Sequence, residues 1–415
     1  MSFNNNTIYI VDGYGFIFRA FYAVPNLKTK EGQPIGAVYG FFKMLIGLIN
    51  HNQPSHLVVA LDTGHRTFRN DIYDAFIEKK AIRDVFEIYK NEFLKKSLNY
   101  TDLISLSYED LAKKLSVNLE MIKSFCEKND ILIQENKMLL IMSYLNLLDT
   151  IKIEDYKTQY KANRKETPDE LKSQFKIIHE FINEANISCE SVIGFEADDV
   201  ISSITNDAIK KGMNVVIVSA DKDLCQLVDD KKNIIVYDPS KKKYLNEQGV
   251  IEKFGVKSNQ VVDYLSIIGD HIDNVVGVNG IGPKGAVKLI EKYGSVENIL
   301  LHLQELDEKT KNKFSENREI LELAQQLIKL DNNAISVDNF DKYKLNINHQ
   351  NLYKFIEKYG FKSIEKQQRY SNNWRDKSKL EIEKTTKEVG NFFEKSNNDN
   401  EKEQISIVKQ TTLFG

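Results

Sequence analysis

The chain has 415 residues, of which 28% are charged and 41% hydrophobic, and its formal net charge is −3. This is a globular composition, long enough for two or three domains, with no stretch long enough to span a bilayer. The mildly acidic total does not exclude nucleic acid, because clustered carboxylates can mask basic contact surfaces elsewhere. Cys126, Cys189 and Cys225 follow neither metal-ligand nor disulfide spacing, and the start MSFNNNTIYIVDG has no basic region followed by an apolar one. Cytoplasmic residence is therefore expected.

TIYIVDG predicts a strand ending in Asp12, with a glycine turn at Gly13 and Gly15, and then an aromatic stretch carrying Tyr14 and Arg19. A helix, AVYGFFKMLIGLINHN, leads to the strand HLVVALDTG, which ends in Asp62. Past Thr67-Phe68-Arg69 the pattern breaks, and residues 75–155 read as several helices without Gly or Pro. Within them, SYEDLAKKLSVNLEMIKSFCEKNDILI has the spacing of a helical hairpin that packs its own small core. DYKTQYKANRKETPDELKSQ then sets Tyr160, Lys161, Arg164 and Lys165 ahead of a helix start at Thr167-Pro168.

GFEADDVISSITNDAIKKGMNVVIVSADKD places Glu196, Asp198 and Asp199 at a helix start and Asp221 and Asp223 after a β-branched strand. Acids in a first helical turn ordinarily complement the helix dipole. That does not explain why three strands run straight into Asp at what should be one sheet edge. Ligands of open α/β sheets bind outside the carboxyl ends of the strands. Acids gathered there repel one another unless hard cations neutralise them, which points to Mg²⁺ or Mn²⁺. The basic segment at Tyr160–Lys165 lies one element away and suits phosphate contact.

Further on come the strand NIIVYD, a lysine-rich hairpin tip at Lys241–Lys243, and two helices ending in Asp270 and Asp273, on one side of a helical turn. Gly277, Gly280, Gly282 and Gly285 then surround a turn between helices, where backbone N–H groups and Lys284 can meet a phosphate. A helix rather than a strand precedes this turn, so dinucleotide binding is rejected. From Tyr370 the composition is that of a disordered tail, yet it ends QTTLFG, whose Leu413 and Phe414 suit a partner's apolar groove.

The motifs IVDG, ALDTG, TFR, YKANRK, GFEADDV, SADKDLCQLV, IIGDHIDNVVGVNGIGPKGA and KYGSVENIL together resemble the 5′–3′ exonuclease (flap endonuclease) domain of bacterial DNA polymerase I and its stand-alone relatives. The resemblance spans roughly residues 7–74 and 156–368. It implies an α/β fold, a PIN-like, mostly parallel sheet flanked by helices, followed by a helical helix-turn-helix DNA clamp. It also implies a metal set of Asp12, Asp62, Glu196, Asp198, Asp199, Asp221, Asp223, Asp270 and Asp273, with Asp199, Asp270 and Asp273 partly in the outer shell. Two-metal hydrolysis of DNA phosphodiesters follows, in primer removal and repair. A basic helix with Lys161 and Arg164 would form part of an arch, and these two, with Arg19 and Lys222, would face the scissile phosphate. Tyr14 or Tyr160 would stack on an unpaired base. Gly277–Lys284 would hold duplex DNA through Gly280, Gly282 and Lys284, with K⁺ at its turn.

The departures are the helical insertion at 75–155, Gly285 where a hydroxyl residue is usual, and no polymerase region. The expected layout is a catalytic domain (1–74 and 156–255), the insertion, a clamp domain (256–369), a disordered linker (370–409) and a sliding-clamp peptide (410–415) using Gln410, Leu413 and Phe414. A monomeric, nucleoid-associated bacterial nuclease acting on 5′ flaps or 5′ ends is the expectation. A non-catalytic nucleic-acid-binding protein and a PIN-like ribonuclease are the alternatives.

Overall fold

The structure, a computed structural model, describes residues 6–95, 105–128, 136–144 and 160–361. The linker and the terminal peptide with Gln410, Leu413 and Phe414 lie outside the described residues. The chain opens with β1 (Thr7–Asp12), α1 (Gly13–Ala23), α2 (Gly36–Asn52), β2 (His56–Ala60) and α3 (Phe68–Lys95). Three short helices follow, α4 (Tyr108–Leu115), α5 (Leu119–Lys128) and α6 (Lys137–Tyr144). Next come α7 (Asp169–Glu184), β3 (Ser188–Glu190), α8 (Ala197–Lys210), β4 (Asn214–Val218), β5 (Ile234–Asp238) and β6 (Lys243–Leu245). The remainder is helical: α9 (Glu247–Phe254), α10 (Val261–Ile268), α11 (Pro283–Tyr293), α12 (Val296–Leu301), α13 (Glu308–Glu316), α14 (Arg318–Ile328) and α15 (His349–Tyr359).

The strands form one sheet in the order β3-β2-β1-β4-β5-β6, parallel except for β6, which pairs antiparallel with β5. Buried parallel strands need apolar residues on both faces, and β1 shows the division. Ile8 and Ile10 join Val200, Ile201 and Ile204 of α8 in a core that runs on into α10, α11 and α14. Tyr9 and Val11 face the other way, into a core with Phe41 and Phe42 of α2, Phe181 of α7 and Phe355 of α15. A third core is separate: Ala81, Ile82, Val85 and Phe86 of α3 pack with Leu111, Leu115, Ile122 and Leu139 from the short helices. α3 runs unbroken through residue 75, where the sequence pattern changes.

The connection from β1 leads through α1 and α2 to β2 on one side, while β4 joins β1 on the other. The strand order therefore reverses at β1, and a crevice opens at its carboxyl end. Gly13 starts α1 at that point because a Cβ there would overlap Leu61, Val59 and the Ala60 carbonyl. Among the described residues no helix is long and apolar enough to cross a membrane.

Candidate metal centre and nucleic-acid interface

Asp12 closes β1 and caps α1, accepting hydrogen bonds from Gly15 N at 2.9 Å and Ser219 Oγ at 2.8 Å. A Cβ on Gly15 would lie 2.5 Å from Asp12 Oδ2, so a side chain there would push the carboxylate aside. Asp62, just past β2, accepts from the Ala197 amide at 2.7 Å and so ties that strand to the start of α8. Glu196 is the N-cap of α8 and Asp198 lies in its first turn. After β4, the Asp221 amide donates to Ser219 Oγ at 2.9 Å and the Asp223 amide to Asp221 Oδ1 at 2.8 Å. The side chains of Asp223, Asp270 and Asp273 bring oxygens within 4.8 Å of one another.

These acids sense one another. Burial raises the Asp12 carboxyl to about 6, helped by the charges of Asp221 and Asp62 and opposed by its hydrogen bonds from Gly15 and Ser219. Burial likewise holds Asp198 well above the usual carboxylate range, reinforced by Asp221, Asp12, Asp62 and Glu196. Asp223 rises to about 8 through burial and the charges of Asp221, Asp270 and Asp273, with Lys222 pulling the other way. Ser219 bonds to both Asp12 and Asp221, Asp221 accepts the Asp223 amide, and Lys161 Nζ lies 2.7 Å from Glu196 and 4.0 Å from Asp273, so the acids beside β1 and those near Asp270 are neighbours. Asp223 Oδ1 is buried there without a hydrogen-bond partner. An orphaned carboxylate oxygen among mutually repelling carboxylates fits a hard divalent cation, which takes oxygen ligands.

The basic residues stand inside this pocket. Lys161 Nζ lies 2.7 Å from Glu196 Oε1, Arg164 grips Asp273 with two bonds of 2.6 and 2.8 Å, and Lys222 Nζ lies 2.9 Å from Asp270 Oδ2. Backbone contacts reinforce the arrangement, from Lys161 N to the Asp273 carbonyl at 3.0 Å and from Asn163 Nδ2 to the His271 carbonyl at 2.7 Å. Arg19 lines a cleft of about 310 Å³ with Asp12, Ser219 and Ser240. Tyr14 sits half-buried against Phe175, near enough to Asp62 for that charge, after burial, to raise its phenol.

The structure corrects several expectations. Asp199 is not available to a cation. It is fully buried, and its two oxygens accept the Arg69 guanidinium and the amides of Glu196 and Asp331. Asp270 and Asp273 do not sit on a helical turn, because α10 stops at Gly269, whose φ of 78° requires glycine. They lie on a loop closed by paired hydrogen bonds between Asp270 and Val275. Lys161 and Arg164 belong to a turn over residues 160–164 rather than a helix, with Lys161 at φ 62°. Tyr160 cannot stack on a base, since it is 7% exposed, packed against Tyr73 and covered by the Lys161 ammonium.

At the glycine turn before α11, Gly280 has φ 73°, Gly282 is the N-cap of α11, and Lys284 is exposed in that helix's first turn. Lys313 Nζ donates to the Gly280 carbonyl at 2.8 Å. The residue that sequence reasoning missed is Arg69. It is 1% exposed and bound to Asp199, and only its place in the TFR motif marks it.

Family models and a curated relative agree with this architecture. The family model for the 5′-3′ exonuclease N-terminal resolvase-like domain matches residues 7–139 and 100–255, and that for the 5′-3′ exonuclease C-terminal SAM fold matches residues 256–351. A 5′-3′ exonuclease of Aquifex aeolicus is 32% identical over 325 residues, covering 78% of this chain and 81% of that protein. DNA polymerase I of Rhizobium leguminosarum is 32% identical over 332 residues, covering 78% of this chain but 24% of the polymerase. Among solved structures, bacteriophage T5 D15 flap endonuclease (D155K) in a pseudo-enzyme-product complex with DNA and metal ions aligns with 18% identity and a TM-score of 0.47, over 85% of this chain and 99% of that one. Matched along both its acid-bearing sheet and the helices that follow, the chain belongs to the 5′–3′ exonuclease family.

Proposed function

We propose that the chain hydrolyses DNA phosphodiesters as a structure-specific 5′–3′ exonuclease and 5′-flap endonuclease, in primer removal and repair. The observation that carries this reading is the single pocket of carboxylates at the β1–β4 crevice, with the Asp223 oxygen left unsatisfied inside it. Asp12, Asp62, Glu196, Asp198, Asp221, Asp223, Asp270 and Asp273 would hold the ions, with Mg²⁺ the expected metal and Mn²⁺ a substitute. Bound there, divalent ions supply an activated water and stabilise the charge on the leaving oxygen.

The chain's own groups do the rest. Asp12 and Asp223 hold protons with raised affinity near neutral pH, so a dication entering the pocket displaces protons. Lys161, Arg164 and Lys222 already lie at the pocket and can turn from the carboxylates to a scissile phosphate. Arg19 faces the same crevice beyond Asp12, and Tyr14 lies beside it to meet an unpaired base.

Residues 1–74 and 156–255 form the catalytic unit in this reading, and 256–369 the duplex clamp, with a K⁺ ion at the turn holding Gly280 and Gly282. Lys284 and the N-terminus of α11 would meet backbone phosphates. The insertion at 75–155 would lie where a flap enters, and Gln410, Leu413 and Phe414 would bind a sliding clamp. The protein would act as a monomer in the cytoplasm at the nucleoid. A 5′-flap duplex with Mg²⁺ and an Asp198→Ala control tests the chemistry. Cleavage by the parent and none by the variant is the expected result; binding without cleavage by both would overturn the proposal.

A further inference from the structure

Both acid-bearing segments are fastened to the same short stretch of the helical unit. Where α14 ends, the chain from Leu327 to Ala334 leaves the helix with carbonyls and amides that need partners. Arg69 supplies two of them, donating from Nε to the Leu327 carbonyl at 2.7 Å and from a terminal nitrogen to the Lys329 carbonyl at 2.8 Å. The same guanidinium grips Asp199, whose Oδ1 accepts the Asp331 amide at 2.8 Å and whose Oδ2 accepts the Glu196 amide at 3.1 Å. Ser203 of α8 adds a bond from the Ala334 amide at 2.9 Å.

Gln226 does the corresponding work for the second segment. Its Nε2 donates to the Asp223 carbonyl at 2.9 Å and to the Ile328 carbonyl at 3.1 Å, while its Oε1 accepts the Leu330 amide at 3.1 Å. One stretch of backbone thus fixes the position of Glu196 through Arg69 and Asp199, and of Asp223 through Gln226. The polar atoms of these three side chains are all engaged by protein groups, and Arg69 Nη1 also lies 3.8 Å from Glu196 Oε2. Their bonds instead set the spacing between two groups of metal-site acids that lie on different elements.

We infer that Arg69 and Gln226 are positioning residues that hold the Glu196–Asp198 and Asp221–Asp223 carboxylates in register by anchoring both to the turn after α14. Partners behind a ligand shell commonly change metal affinity or activity by about 10- to 100-fold when removed. The inference rests on the nuclease reading for its kinetic consequence, but not for its binding consequence.

The test uses the full chain with Gln226→Met, Arg69→Met and Arg69→Lys. Mn²⁺ binding is measured on the metal alone, and kcat and KM on a 5′-flap duplex, with melting temperature recorded for each. Gln226→Met is expected to weaken Mn²⁺ by about tenfold and to lower kcat with KM little changed. Arg69→Met should do the same more severely, and Arg69→Lys, which keeps the charge but not the fork, should restore only part. Should Arg69→Met fail to fold, Gln226→Met, which leaves no buried charge behind, decides the matter. A lowered melting temperature with unchanged Mn²⁺ affinity and kcat would reduce both residues to ordinary structural ones and overturn the inference. If the parent binds Mn²⁺ but cuts no flap, the nuclease reading fails, and the Mn²⁺ affinities alone still decide the positioning role.

Discussion

Two neighbouring aspartates illustrate how differently the same side chain can be used. Asp199 neutralises a buried Arg69, and cutting it back strands that cation in the core, which typically costs about 3–5 kcal/mol. Asp199→Ala should therefore lower stability by that order in urea unfolding. Asp223 is the opposite case, a carboxylate repelled by Asp221, Asp270 and Asp273 with a buried oxygen that nothing satisfies. Asp223→Asn should raise the melting temperature of chelator-treated protein while abolishing its stabilisation by Mg²⁺, the trade expected where function requires strain. The pH dependence has a definite sign. Asp12 and Asp223 are raised from the usual 3.8 to about 6 and about 8, so between pH 4 and 8 the folded protein carries more protons than the unfolded chain. Stability of the metal-free protein should then fall as pH rises through that window. Added Mg²⁺ should stabilise more at pH 8 than at pH 5, as thermal melts at the two values would show; an equal shift at both would contradict the carboxylate pocket.

At the level of elements, the pocket depends on backbone close approach as much as on acids. The loop carrying Asp270 and Asp273 leaves α10 at Gly269 and returns at Gly277, and a Cβ on Gly277 would overlap the Gly269 amide, the Ile267 carbonyl and the Ile268 carbonyl carbon. Backbone atoms cannot step aside as a side-chain tip can. Gly277→Ala should cost about 1–3 kcal/mol and displace both aspartates, which Mn²⁺ titration and thermal melting would register together; tight Mn²⁺ binding in a destabilised variant would show that the loop adjusts independently. This loop also marks where sequence reading stops. The strands ending at Asp12 and before Asp62 and Asp221 were legible because continuous β-branched runs carry their own signal. The spacing of Asp270 and Asp273 is equally compatible with a helical turn, and only the positive φ at Gly269 decides for a loop. Arg69 was illegible for a different reason. Its partners are Asp199 and the carbonyls of Leu327 and Lys329, far away in the chain, and a single buried arginine has no periodicity to reveal it.

Among the described residues, the sheet and the helical unit share one continuous core, whereas the short helices α4, α5 and α6 share theirs with α3. Their apolar spacing was readable, but α3's unbroken run out of the catalytic unit was not, because nothing in local sequence says where a helix of one unit becomes the wall of another. α3 thus serves two cores: Arg69 near its start is locked beneath the acids, and Phe86 further along is fully buried among the short helices. Stability in such an arrangement is divided regionally, since cooperative units open separately when few contacts join them. Phe86→Ala should cost the helical module about 3–5 kcal/mol and leave the carboxylate pocket, which α3 touches only near its start at Arg69, in place. Hydrogen exchange should accelerate across residues 105–128 and 136–144 and stay unchanged in β1, β4 and α8. The cutting rate on a short flap should match the parent's. Faster exchange in β1 together with lost cleavage would mean that α3 transmits disorder from the module to the pocket, and that the two cores are energetically one.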